Sequence, residues 1–148
     1  MSTVRQGVLS GIVALLNVGG KPAAVPTTEV ARTKQISRTL PSMIAYMTSD
    51  EPEMVGGRFG PLVRRRLTVV IECRDTPGSG ENPYDSVEPM TAWVTKALGG
   101  QRIAAGSHEI VEGNTTFDLA GADRLYCLAR VEVIVNYQTR VADAEQKA

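Results

Sequence analysis

The chain is poor in the residues that mark dedicated chemistry. Aromatic side chains make up 5% of its 148 residues, too few for the stacking platforms that hold single-stranded nucleic acid. Sixteen Lys and Arg balance sixteen Asp and Glu. A protein built to bind phosphate backbones needs concentrated positive charge, so the balance argues against one, although it leaves room for a local basic patch. Two cysteines, Cys73 and Cys127, are too few for a disulfide scaffold. No apolar run approaches the ~20 residues that cross a bilayer. Residues 1–16 offer only Arg5 as leading charge, and Ser10 and Gly11 interrupt their apolar stretch. The small residues Ala23 and Ala24 lie between prolines, a poor cleavage site, so the segment reads as the first helix of a cytoplasmic protein and not as a signal peptide.

What is present is periodicity. Over residues 125–137 the odd positions read Leu125, Cys127, Ala129, Val131, Val133, Val135 and Tyr137, while the even ones include Arg130, Glu132 and Asn136. Alternation with a period of two marks a strand with one buried face. Tyr126, Leu128 and Ile134 make the second face more apolar than plain solvent requires, which predicts partial cover by a loop or a neighbouring subunit. Residues 62–74 repeat the pattern, with Leu67, Val69, Ile71 and Cys73 on one side and Arg66, Thr68, Glu72 and Arg74 on the other.

Val4, Val8, Ile12, Leu15 and Leu16 recur at helical spacing, and residues 17–20 end that helix. Gly7 and Gly11 sit on one side of it and call for a close backbone contact. A second helix is expected from Asp85, with Glu88 completing a capping box, Pro89 just beyond the first turn and Gly99-Gly100 as the stop. Its buried stripe is Val87, Met90, Val94, Ala97 and Leu98, with Trp93 off centre. Weaker strands are expected at 28–36, 43–48 and 108–117. Residues 49–61 carry two prolines, three glycines and three acids, and read as a long irregular loop or a hairpin arm tipped by Gly56-Gly57. The tail beyond Arg140 is polar and is expected to fray. These elements predict a single α+β domain over residues 1–148: a mostly antiparallel sheet with two helices packed on one face.

No catalytic constellation accompanies this layout. His108 is the sole histidine and lies at a strand entrance, without a paired nucleophile. Both cysteines fall on the apolar phase of their strands, where cysteine behaves as a small hydrophobe; facing positions in adjacent strands are open to them, but a bond is not implied. Metal-ligand spacings such as CxxC or HExxH are missing, and Asp50, Glu51 and Glu53 do not continue into a calcium loop. Gly78-Ser79-Gly80 lacks the remainder of a phosphate-binding fingerprint. These readings point to no catalytic residue, no metal and no cofactor. The dense charge run Arg64-Arg65-Arg66 remains. It reads equally as a wet strand end that blunts edge pairing and as an intersubunit contact to acids such as Asp50, Glu51 and Glu53, with a phosphate contact behind both.

Five segments carry a resemblance: VRQGVLSGIVALL at 4–16, LPSMIAYMTSDEPEM at 40–54, RRRLTVVIEC at 64–73, DSVEPMTAWVTKAL at 85–98, and RLYCLARVEVIVNYQTR at 124–140. Together they resemble the tail terminator proteins of long-tailed bacteriophages, also called minor tail or tail completion proteins. The match is loosest at 115–123. The resemblance implies a structural, non-enzymatic virion protein of the tail–neck region, made in the host bacterial cytoplasm. It implies a homohexameric ring that caps the tail tube, stops its polymerisation and docks the tail to the head. Its partners would be its own copies, the tail tube protein and a head-completion or connector protein. DNA would pass through the channel without sequence-specific binding, and no membrane is involved. Arg64, Arg65, Arg66, Asp50, Glu51 and Glu53 are then candidates for subunit or tube contacts. Two alternatives are another neck component, such as a head-closure or head–tail joining protein, and a small enzyme using Cys127 or His108.

Overall fold

The computed structural model describes residues 4–30, 40–54, 62–77, 82–99, 101–103, 108–120, 126–140 and 143–147. The elements run α1 (Val4–Leu16), β1 (Thr28–Val30), β2 (Ser42–Met54), β3 (Leu62–Asp75), a 3-10 turn (Pro83–Ser86), α2 (Glu88–Leu98), β4 (Arg102–Ile103), β5 (His108–Ala120), β6 (Tyr126–Arg140) and β7 (Asp143–Lys147). One seven-stranded sheet takes the order β1-β2-β3-β6-β5-β4, and β7 pairs β6 off that path. The β1–β2 pair is parallel and the others are antiparallel. The two helices pack on one face of a mostly antiparallel sheet, the α+β layout that the periodicities predict.

β3 and β6 form the spine of the sheet, in continuous register from Leu62 opposite Arg140 to Asp75 opposite Cys127. Their apolar phases, Leu67, Val69, Ile71 and Cys73 with Cys127, Ala129, Val131, Val133 and Val135, meet Val8, Ile12 and Leu16 of α1 and Met90, Val94 and Leu98 of α2 in one core. Each fully buried Val, Leu or Ile contributes about 1.5–3 kcal/mol relative to exposure. The alternating pattern therefore fixes the register, because a one-residue slip would turn every one of these side chains to the other face.

Polar clamps join the layers. Trp93 is buried, and its Nε1–H donates to the Leu16 carbonyl at 2.9 Å. That carbonyl belongs to the last turn of α1, where no intrahelical donor is left. The Asn17 side chain donates to the Thr28 carbonyl (2.9 Å) and accepts from the Thr28 N–H (2.8 Å), fastening β1 to the end of α1.

Several sequence expectations are corrected. The strand expected at 43–48 runs from Ser42 to Met54 and absorbs the acidic stretch, so the hairpin-arm reading of 49–61 replaces the loop reading; its proposed tip, Gly56-Gly57, lies outside the described residues. Of the strand expected at 28–36, Thr28–Val30 is present and 31–36 lies outside the described residues. α2 begins at Glu88, not Asp85, because Asn82 caps a separate 3-10 turn by accepting from the Tyr84 N–H at 3.0 Å. Asp85 is consumed by that turn, Val87 becomes the α2 N-cap without a side-chain bond, and the capping box does not form. Pro89 falls inside the first turn, where its missing N–H has no helical partner to lose. Gly7 has no heavy atom within 4 Å of where a Cβ would stand, so it serves no close contact. Residues 143–147 do not fray but form β7 against β6.

Candidate functional site: the open sheet face and its arginine run

The β2–β3 register brings the six candidate residues together within one chain. Glu51 lies opposite Arg66, Pro52 opposite Arg65, and Glu53 opposite Arg64. Strand alternation then divides them between two faces. Asp50 and Arg65 turn toward the helices, with Leu67 and Tyr137 as their cross-strand neighbours, while Glu51, Arg64 and Arg66 stand exposed on the opposite face. The Glu53 backbone takes its place in the ladder; its side chain lies outside the described set.

The inward set is a buried polar cluster. The Asp50 side chain is 7% exposed and accepts a hydrogen bond from the Tyr137 hydroxyl. Arg5 Nε of α1 approaches Asp50 Oδ2 at 3.5 Å, and Arg65 Nη1 approaches Oδ1 at 3.8 Å. A carboxylate is tolerated at this depth only with charge and donors around it. The Tyr137 phenol is pushed well above its ordinary value, first by burial and then by its bond to Asp50 and that residue's charge; Arg5 and Arg65 oppose the shift. This cluster pins the first turn of α1 to the far end of the sheet. It gives Asp50 and Arg65 a task inside the chain, where the sequence suggested only a contact between chains.

The outward set lines shallow grooves. One, of about 340 Å3, is bounded by Arg64, Arg65, Arg66, Val111, Ile134 and Asn136. A second, of about 430 Å3, includes Glu51, Arg66, Thr68, Gly113, Glu132 and Ile134. Both signs of charge and the half-buried Ile134 are thus presented side by side. No described helix lies over this face. Farther along, Glu72 is buried and held by Arg74 Nη2 at 2.8 Å and Arg130 Nε at 3.4 Å, and the Arg74 guanidinium lies 5.7 Å from the centre of the Tyr126 ring. Leu128 on this phase is 2% exposed in the single chain, so it needs no neighbouring subunit to cover it; Ile134 remains open.

Sequence reasoning missed two features. The β5 edge is one. β4 pairs β5 only at His108 and Glu109, and beyond the bond from the Ile110 N–H to the Gln101 carbonyl no described strand flanks its outer side. Val111, Phe117 and Leu119 are 40%, 45% and 42% exposed there, with Phe117 leaning on Tyr84 at a ring separation of 5.3 Å. The strand expected at 108–117 is present and runs on to Ala120; local pattern gave the strand but not which neighbours its outer side lacks. The other is Arg5, whose pairing with Asp50 reaches from the first helix to the second strand and leaves no local signal.

The possible nucleophiles are deep. Cys73 and Cys127 are free and fully buried. Burial, reinforced by the Glu72 charge, pushes the Cys73 thiol up to about 12. Cys127 Sγ donates to the Asp75 carbonyl at 3.2 Å and sits 2.9 Å from Ser86 Oγ. His108 contributes its backbone to β5, and its side chain lies outside the described set, as do Gly78, Ser79 and Gly80. Among the described residues no group of three His, Cys, Asp or Glu could hold a metal ion, and no helix is long and apolar enough to cross a membrane. No protein-family model matches the chain, and no curated protein matches it in sequence.

Proposed function

We propose that this chain is a structural virion protein of the tail terminator kind: copies of it form a homohexameric ring that caps a phage tail tube, halts tube growth and offers the surface on which the head docks. The observation that carries this reading is the asymmetry of the sheet. Both helices are spent on one face, while the other presents Arg64, Arg66, Glu51 and Ile134 in open grooves. A surface of interspersed charges around an apolar centre suits protein contacts made in a fixed register. The resemblance of the five quoted segments to tail terminators supplies the kind of assembly. In this reading the tail tube protein and a connector protein are the partners, and DNA crosses the channel without sequence-specific contacts.

Electron microscopy of the purified protein, alone and mixed with tail tubes, tests the reading. Rings with an open channel seated on tube ends are expected, together with overlong tails when the protein is missing during assembly. A protein that ignores tube ends and binds the capsid connector instead would overturn it in favour of a head-closure role.

A further inference from the structure

The second half of β5 is regular, bare and partly apolar. Past the irregularity between Glu112 and Thr115, residues 115–120 pair with β6 from Val131 to Tyr126 without a further break. No described strand lies on their outer side, and Thr115, Thr116, Phe117, Asp118 and Leu119 are all exposed. An unpaired edge of this kind is a template for another strand. The devices that blunt such edges are missing from these residues: they include no lysine and no proline, and the bulge at Gly113 comes before them. Phe117 and Leu119 turn to the helix side, as do their partners Ala129 and Cys127, which belong to the core. Tyr84 of the 3-10 turn steadies Phe117 there, its ring tilted by 57°. Thr116 and Asp118 turn to the open face with Arg130 and Leu128.

We propose that this edge pairs with the same edge of a second copy of the chain, antiparallel, about a two-fold axis that passes through Phe117 perpendicular to the sheet. Such an axis keeps the helices of both copies on one side, so side chains of the same face meet across it. Phe117 stands opposite the partner's Phe117, Thr115 opposite the partner's Leu119, and Thr116 opposite the partner's Asp118. Charge and packing select this register. An axis through Asp118 would set carboxylate directly against carboxylate, as would a parallel pairing of identical residues, and like charges directly opposite destabilise a ladder. An axis through Thr116 would leave each Phe117 facing Thr115 and lose the aromatic pair. The Phe117 axis joins the two phenyl rings, each backed by its own Tyr84, and covers the exposed Leu119 with a threonine methyl. The bare part of β2 is a poorer partner for β5: it carries Asp50, Glu51 and Glu53, and Pro52 has no N–H to give to a ladder. Main-chain hydrogen bonds supply the adhesion and alternate side chains the choice of partner, which is the division of labour in strand addition. The contact is isologous and closes on two copies. It is therefore distinct from a contact that builds a ring, and it stands without the ring reading.

Cross-linking of the full chain tests the contact whatever larger assembly forms. In an antiparallel ladder, hydrogen-bonded and non-hydrogen-bonded pairs alternate, and side chains stand closer in the latter. Either the Phe117 pair or the flanking Thr116–Asp118 pairs are therefore of the close kind. Under mild oxidation, F117C alone, or T116C mixed with D118C, is expected to give an inter-chain disulfide, while T116C and D118C kept apart do not. The native thiols are buried and stay out of the reaction. No disulfide in either design overturns the edge pairing. Sedimentation velocity adds the affinity: F117K places two ammonium groups on the axis and should weaken pairing by about tenfold or more, with a thermal melt near the parent's. A folded F117K that pairs as tightly as the parent overturns the axis, and if F117K does not fold, the disulfides decide. Rings on tail tubes without either disulfide would overturn this inference and leave the ring reading intact. Disulfide-linked dimers that never form rings would uphold the edge and sink the ring.

Discussion

Tyr137 and Asp50 show how one side chain's surroundings decide its chemistry. The phenol donates to a buried carboxylate, so losing its proton would place two negative charges in contact. Unfolded, the group titrates near its ordinary value of about 10; folded, it titrates higher. The neutral form is therefore favoured by folding, and the associated stability is complete below pH ~10 and lost as pH rises above that value. Y137F removes a bond to a charged acceptor, worth about 1.5–3 kcal/mol. Urea unfolding at pH 8 is expected to show that deficit, and the gap between parent and Y137F should narrow above pH ~10. A pH-independent gap would show that packing, not the hydrogen bond, carries the effect. The thiol of Cys73 follows the same logic: burial favours its neutral form, so it should resist alkylation in the native chain.

At the scale of elements, the helices are held by their buried stripes and, in addition, by where their ends are fastened. Trp93 reaches the Leu16 carbonyl across the α1–α2 contact. W93F keeps much of the apolar bulk but leaves that carbonyl without its partner, and should lower stability by about 1–3 kcal/mol in chemical denaturation. α1 itself carries an avoidable weakness. Gly7 is exposed, is the fourth residue of the helix and touches nothing that a Cβ would displace. G7A is expected to raise stability by about 1 kcal/mol, measured the same way. A neutral or destabilising result would mean that the exposed side of α1 meets something in the assembly or in its folding. Gly113 contrasts with it. A Cβ there would come within 2.9 Å of the Glu132 carbonyl oxygen, at the irregularity between Glu112 and Thr115 where β5 changes register on β6. One glycine is free to change, and the other makes room for a bulge.

For the whole molecule, the arginine run separates folding from assembly. Arg64 and Arg66 are exposed, and charge reversal at such positions changes stability by less than about 0.5 kcal/mol. Arg65 lies beside buried Asp50 at 3.8 Å. R65E would set a second carboxylate against the first and should destabilise the monomer. R64E with R66E should leave the melt unchanged and weaken ring formation or tube binding. Light scattering and thermal melts of the two variants make the comparison. Equal assembly by folded R64E/R66E would remove the open grooves from the interface.

Legibility in the sequence followed the range of the interaction. The 3.6- and 2-residue periods of residues 4–16, 62–74 and 125–137 reflect burial of one face, a property repeated along the chain, so the helices, the spine of the sheet and the α+β class could all be read directly. The sequence by itself also determined the neutral charge balance, and it offered the acidic stretch and the arginine run as one candidate contact, between chains. It did not determine which members of that pair face inward. That depends on the β2–β3 register, which carries Asp50 under α1 to Arg5 and Tyr137 and leaves Glu51, Arg64 and Arg66 outside. Nor did it determine the length of β2, the later start of α2 or the bare edge of β5. Each is settled by partners distant in the chain: β3 for the acidic strand, Asn82 for the preceding turn, and the short β4 for the edge. Local pattern reports what a segment buries; only the folded chain decides what each segment meets.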